Sequence, residues 1–460
     1  MGFILAAAGS AVGLGNIWGF PTYTARNGGA AFLIVYLVLV FVVCLPVILL
    51  EIAIGRRTQR NPVGALKMLA PGTSWNLVGK MGVFCGIMIL SFYIVIAGWV
   101  FGYFLECVTG GLERLASEGE FGRFVGSPWK NLLYMGAFMA ATVAIVLGGV
   151  RGGIEKWARI LMPTLLVMLF ALIAYVLTRE HALTGLRFYL VPDFSKLTAQ
   201  VLNSALSQAF FSLSLGMGAL ITYGSYMSKK DNILSSGFIV ALVDSFIAFS
   251  AGLLIIPAIF TLGPNVDAGN LAQGPGLIFV VLPQVFMNMA GQVGYTFASF
   301  LASFFFLLIC FAALTSTISL LEVPTAYVVD EKGIRRKKAA LITAGVVALI
   351  GLGSLLANGA SSFFSQFITY PSGKETDFMT LIGDVFFETL LPVGGCLLTA
   401  FTAFIWKTGN FSKEIAQGYP EYAGSILEKW FSGIIYLVPF VTFFIFINTV
   451  LQKYFDIQLF

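Results

Sequence analysis

Runs of 18 or more apolar residues return repeatedly along this chain of 460 residues. As a helix, each is long enough to cross about 30 Å of hydrocarbon, and lipid offers backbone amides no other partner. The sequence is 58% hydrophobic and 11% charged, against about a quarter charged in a soluble domain. It reads as an all-α membrane protein. Eleven transmembrane helices are expected, near 3–24, 30–55, 81–107, 131–149, 154–178, 200–227, 233–261, 291–327, 338–356, 378–404 and 431–452, numbered here as spans 1 to 11. The loops leave no room for a separate soluble domain. The first apolar run lacks a basic leader and an A-x-A-like exit, so it reads as a span and not as a cleaved signal.

Charge sets the orientation. The longest connections, 108–130, 179–199 and 262–290, fall on one side. With the N-terminus in the cytoplasm, the loops on its side carry 18 of the 27 Lys and Arg, among them Arg56, Arg57, Arg60, Lys229, Lys230, Arg335, Arg336, Lys337 and Lys338. That matches the cytoplasmic excess of basic residues in membrane proteins. An odd number of spans then places the C-terminus outside. The net charge of +5 is accounted for by topology and gives no reason to expect nucleic acid. The lipid bilayer is the expected surrounding, that of a cell (plasma or inner) membrane. Five cysteines without a C-x-x-C pair argue against a disulfide framework or a zinc site. The one histidine, His181, lies in a loop, so no catalytic constellation is visible and the chain reads as a non-enzyme.

Two spans are ill-suited to being plain helices. "GSAVGLGNIWGFP", residues 9–21, holds four glycines, an asparagine and a proline; "SQAFFSLSLGMGALITYGSY", residues 207–226, holds serines with Gly216, Gly218 and Gly224. Glycine frees the backbone and proline removes a donor. Opened backbone is tolerated at membrane depth only where it lines a cavity or meets polar groups. Breaks five spans apart predict a five-plus-five inverted repeat with a binding site between them: repeat one about 1–178, repeat two about 200–404, and an extra helix about 431–452. Glu51, Asp244 and Glu322 lie in oily segments, where a carboxylate costs roughly 2.5–3.5 kcal/mol on insertion scales and usually serves a site. Carboxylate, hydroxyl and carbonyl oxygens together suit a hard cation such as sodium.

These stretches, with "NGGAAFLIVYL" (27–37) and "SFFFLLICFAALTSTISLLEVP" (303–324), resemble the neurotransmitter:sodium symporters over essentially the whole chain, and within them the bacterial amino-acid transporters with eleven spans. The resemblance implies two sodium sites. One would use the Ala11 carbonyl, Asn16, Ser212 and Asp244, completed by the substrate carboxylate; the other the carbonyls of Gly9, Val12 and Ala312 with Thr315 and Ser316. It implies a substrate pocket of Ala11, Val12, Gly13, Gly15, Ile89, Tyr93, Phe211, Ser212, Ser214, Gly216, Met217, Ser316 and Leu320. Within it Tyr93 would meet the carboxylate and Phe211 would form the outer lid. Glu51 would brace the unwound part of span 6. Monoamine-transporting relatives have aspartate where this chain has Gly13, so the substrate should bring its own acid. Animal relatives have asparagine where this chain has Asp244 and bind chloride nearby, so chloride independence is expected.

Three positions depart from the family pattern. Gly19 replaces the outer-gate arginine, whose acidic partner aligns with Asp377; Arg26 is the candidate replacement. Asp330 aligns with an inner-gate acid whose arginine precedes span 1 in relatives, while this chain starts at Met1, already within the span. The expected function is sodium-coupled symport of a hydrophobic or aromatic amino acid into the cell by alternating access. The alternatives are a carrier of another small zwitterion, GABA- or taurine-like, or a transport-deficient sensor of the same fold.

Overall fold

The structure, a computed structural model, describes residues 2–263, 266–271 and 276–457. Among the described residues nine helices are long and apolar enough to cross a membrane: Ala30–Thr58, Asn76–Val108, Pro128–Leu147, Gly152–Val176, Ile233–Phe260, Tyr295–Lys332, Arg336–Leu356, Phe378–Gly418 and Ile426–Phe455. They correspond to spans 2–5 and 7–11. The other two expected spans are broken. The first consists of Gly2–Ala11 (1a), then Gly15–Gly19 as a wide π turn running into Phe20–Arg26 (together 1b). The sixth consists of Ala199–Ser212 (6a) and Ala219–Gly224 (6b).

Local chemistry explains the breaks. Between 6a and 6b, Ser214, Gly216 and Gly218 take φ of 55°, 81° and 77°, a left-handed region that glycine alone enters without steric cost. A Cβ on Gly216 would also collide with the Leu391 carbonyl of span 10. Gly294 (φ 84°) separates Leu277–Val293 from span 8. Span 8 therefore begins at Tyr295, four residues later than expected from its apolar run, and part of the 262–290 connection is helical. Past 404 span 10 widens into a π turn at Phe401–Lys407, and the chain turns at Lys407 (φ 70°) into the helix Thr408–Gly418.

The long spans 3 and 8 pack along each other and against spans 4 and 9, forming the wall on which the breaks rest. The two ends of the bundle differ. One, the basic side, carries the buried Arg56. Its Nε donates to Glu414 Oε1 at 2.8 Å, and its other nitrogens donate to the carbonyls of Asp231 and Glu414. This one side chain ties span 2 to the turn after 6b and to the tail of span 10. Arg56→Met leaves the Glu414 carboxylate, which is only 3% exposed, with no cation nearer than Arg57 at 4.0 Å, and is expected to cost about 3 kcal/mol, the low end for a broken buried pair. Thermal unfolding in detergent should show a lowered midpoint, with most of the loss recovered in Arg56→Met/Glu414→Met. The opposite end, the hairpin side, carries the two-stranded ribbon Ile368–Thr369 and Glu375–Thr376.

Candidate functional site

The break in span 1 leaves the residues around Val12 and Gly13 outside regular helix, and side chains take up the freed groups. Asn16 Oδ1 accepts from Gly13 N at 2.9 Å, and Tyr93 OH from span 3 accepts from Leu14 N at 3.0 Å. Gln208 of 6a donates to the Gly15 carbonyl at 2.6 Å. Across the second break, Glu51 Oε1 accepts from Gly216 N at 2.8 Å, a direct contact between Glu51 and the unwound segment.

Two clusters of oxygens lie beside the break in span 1. In the first, Ser212 Oγ (3.0 Å), the Asp244 carbonyl (3.1 Å) and Asp244 Oδ1 (2.7 Å) all converge on the amide nitrogen of Asn16. Ser212 also donates to Asp244 Oδ1 at 2.8 Å, and Tyr36 to Oδ2 at 3.2 Å. Asp244 is fully buried and makes no salt bridge among the described residues, so three oxygens, one of them from an uncompensated carboxylate, converge on the point that the Asn16 amide nitrogen takes. Such a nest favours a cation. In the second cluster, Thr315 Oγ1 lies 2.9 Å from both the Val12 and the Ala312 carbonyls, bridging the break to span 8. Gly9 stands on the last turn of 1a, close to Ala158 of span 5.

Between the clusters is a cavity lined by Ser10, Ala11, Gly15, Tyr93, Phe211, Ser212, Ser214, Met217, Ser316 and Leu320. Nine of these ten belong to the substrate set expected from sequence. The tenth, Ser10, was missed; it is a small residue between Gly9 and Ala11, with no chemical signal of its own. Of the remaining expected residues, Val12 sits at the second oxygen cluster and Ile89 is fully buried in span 3. Gly216 is held by Glu51. Gly13 has a physical requirement to be glycine: a Cβ there would overlap Ser316 Oγ and stand 3.0 Å from Tyr93 OH. The space is about 20 Å³, room for one water-sized sphere, so a larger guest enters only as the walls part.

Above the cavity, Phe211 packs on Phe387 of span 10 with ring centroids 4.2 Å apart. On the hairpin side of this pair lies a polar chamber of about 800 Å³ whose wall includes Tyr23, Arg26, Glu388 and Lys453. Gly19 leaves space that the Gln208 amide fills: a Cβ at 19 would lie 2.8 Å from Gln208 Oε1. Asp377, expected to lack its arginine partner, makes no salt bridge among the described residues. It caps Phe378–Ile382 by accepting from Thr380 N at 2.9 Å, as a carboxylate just before a helix start does, and the acids that line the chamber with Arg26 are Glu388 and Asp456. In the hairpin, burial first and then Asp384 push the Tyr370 hydroxyl above its ordinary pKa, so it stays a donor to Asp384 Oδ2 at 2.8 Å.

On the basic side, Asp330 accepts from Asn61 N and Nδ2 at 3.0 and 3.2 Å, fastening the start of the short helix Pro62–Leu69 to span 8. Glu322, fully buried, is paired with Arg336 at 2.6 Å and accepts from Tyr226 OH at 2.9 Å. The sequence marked Glu322 as unusual but offered no partner for it, because Arg336 approaches from beyond the turn that follows span 8.

The profile of the Sodium:neurotransmitter symporter family matches residues 1–118 and 124–456. An uncharacterised sodium-dependent transporter of Bacillus subtilis is 35% identical over 459 residues, covering 98% of this chain and 96% of the relative. The crystal structure of MhsT in complex with L-phenylalanine is 40% identical and superimposes with a TM-score of 0.86 over 97% of each chain. More distantly, the sodium- and chloride-dependent GABA transporter ine of Drosophila melanogaster is 25% identical over 91% of this chain and 47% of its own length. With broken first and sixth helices, paired oxygen clusters and a match running nearly end to end, this chain belongs to the sodium:neurotransmitter symporter family, a family of transporters in multi-pass membrane form.

Proposed function

We propose that the protein carries a hydrophobic or aromatic amino acid into the cell together with two sodium ions, without need of chloride. The observation that carries this reading is the cavity between the breaks. Its polar wall holds Tyr93, whose hydroxyl accepts from Leu14 N and keeps its own proton for a carboxylate. Its far wall is Met217, Leu320 and Phe211, apolar and, through methionine, adaptable in shape. Gly13 admits no side-chain acid, so the acid belongs to the substrate. The complex of MhsT with L-phenylalanine supports an aromatic substrate.

In this reading the Ala11 carbonyl, Asn16, Ser212 and Asp244 hold the first ion beside the substrate carboxylate. The Gly9, Val12 and Ala312 carbonyls with Thr315 and Ser316 hold the second. Binding joins 1a, 1b, 6a and 6b across the breaks. The basic side faces the cytoplasm and the hairpin side faces out, each opening in turn. Residues about 1–178 and 200–404 are the two repeats, and the helix near 431–452 lies outside both. The membrane potential supplies about 2.3 kcal/mol per charge per 100 mV and a tenfold sodium gradient about 1.4 kcal/mol per ion. Two ions supply about 7 kcal/mol, a limit of about 10⁵-fold accumulation.

Uptake of labelled Phe, Trp, Tyr, Leu, Ile and Met into proteoliposomes tests the proposal. Saturable uptake should require an inward sodium gradient and survive replacement of chloride by gluconate. Preference for taurine or GABA overturns the substrate class; sodium-dependent binding without uptake marks a sensor. Thr315→Val keeps the shape but removes the hydroxyl at the second cluster. It should raise the sodium concentration for half-maximal binding about tenfold, the worth of one charge-assisted contact; an unchanged sodium dependence excludes Thr315 as a ligand.

A further inference from the structure

We propose that Asp384 and Thr389 are positioning residues for the aromatic lid: they pin both ends of a π turn in span 10 to the hairpin and to span 11, and so keep Phe387 over Phe211. Span 10 leaves the α-helix at Gly383–Thr389, where hydrogen bonds reach five residues back, as from Leu390 N to the Val385 carbonyl. Such a turn is rare, occurs mostly singly within an α-helix, and is frequent at functional sites. This one aims successive rings at two partners. Phe386 meets Phe84 of span 3 with centroids 5.4 Å apart, and Phe387 meets Phe211 at 4.2 Å. Phe211 lines the cavity and Phe387 does not, so Phe387 acts through Phe211.

Both ends of the turn are held from outside their own helix. Asp384 is buried. Its Oδ1 faces Lys453 Nζ of span 11 at 2.7 Å, and its Oδ2 accepts from the Tyr370 hydroxyl of the hairpin at 2.8 Å. Five residues on, the Thr389 hydroxyl donates to the Asp384 carbonyl at 2.7 Å and stands 3.1 Å from the Tyr454 hydroxyl. Tyr370 and Tyr454 pack edge to face with centroids 4.9 Å apart, and Ser372 N donates to the Tyr454 carbonyl at 2.9 Å. Hairpin, span 11 and π turn thus form one joint. Glu388 shares Lys453 but also accepts from the Tyr23 hydroxyl of 1b. Arg26, Lys196, Lys374 and Asp456 line the chamber and make no salt bridge with Asp384 among the described residues. The joint therefore draws no partner from span 1. Without it, tightening of the turn to α-helical bonding rotates the residues within it and takes Phe387 off Phe211.

The proposal rests on the reading of the cavity as the substrate site, but its test reads the lid with no amino acid present, so either can fail alone. Ser10 lines the cavity and its hydroxyl has no partner among the described residues, so Ser10→Cys breaks no hydrogen bond. Intact cells meet a membrane-impermeant thiol reagent with the hairpin side, in the orientation proposed above. The reagent reaches position 10 only when Phe211 and Phe387 part, and the chain without Ser10→Cys gives the background. Added to Ser10→Cys, Thr389→Val and Asp384→Asn should each speed labelling about threefold to tenfold, the worth of one hydrogen bond of ordinary strength. Thr389→Ser, which keeps the hydroxyl, should label like the parent. Phe387→Ala should speed labelling by itself, and neither of the first two variants should add to it. A change in chamber charge alone would act equally with and without Phe387, and Thr389→Val alters no charge. Parent-like labelling in Thr389→Val and Asp384→Asn, no effect of Phe387→Ala, or an increase that persists on top of Phe387→Ala overturns the proposal. If Asp384→Asn fails to fold, Thr389→Val and Tyr370→Phe decide by the same comparison.

Discussion

Asp244→Asn is expected to weaken sodium-dependent amino-acid binding by at least about a hundredfold in chloride-free buffer, and to recover much of it when chloride is supplied. Asp244 is fully buried, and its carboxylate accepts from Asn16, Ser212 and Tyr36. The asparagine keeps the shape and an acceptor oxygen but removes the charge that would balance a sodium ion at this depth. Breaking a buried charge pair costs about 3–5 kcal/mol, at least two powers of ten in affinity. A small anion beside Tyr36, Gln208 and Ser212 would restore the balance. Scintillation-proximity binding of labelled phenylalanine over a sodium series, in chloride and in gluconate, reads both effects. Tight binding by the variant without chloride would remove Asp244 from the ion site.

Gly13→Ala should abolish binding, with a loss beyond a hundredfold, while leaving the helices assembled. The new methyl would overlap Ser316 Oγ, and both groups would have to take space from the small cavity that Ser316 and Tyr93 line. Removing that oxygen relieves the worst clash: in Gly13→Ala/Ser316→Ala the remaining contacts, with Tyr93 OH and the carbon at position 316, stand at 3.0 Å and need shifts of only tenths of an ångström. Binding should return in part, to within about tenfold of the Ser316→Ala parent. If the double variant is no better than Gly13→Ala, the steric account of Gly13 is wrong. Gly13→Asp, larger still, should not be rescued.

Much of this site was legible before any coordinates. The broken spans announce themselves through residues that a plain membrane helix has no use for, and Asn16, Ser212, Asp244 and Thr315 stand out as polar groups in oily surroundings. The partners of the charged residues were not legible. Asp330 engages Asn61, Arg56 engages Glu414, and Arg336 reaches Glu322, and in the first two cases the partners lie hundreds of residues apart. Nor was the local task of Asp377 legible: a short helix begins at the next residue, and the carboxylate caps it.

Sequence by itself determined the class of structure, since hydrocarbon imposes helices on long apolar runs and permits breaks only beside polar partners. It also determined where the breaks occur, because left-handed and Cβ-free backbone needs glycine at Gly216, Gly218 and Gly13. Tertiary structure alone decided which oxygens share a point, how small the resting cavity is, and that span 11 sends Lys453 into the chamber. Those outcomes depend on distances between segments far apart in the chain, set by packing over the whole bundle, and no local pattern encodes them.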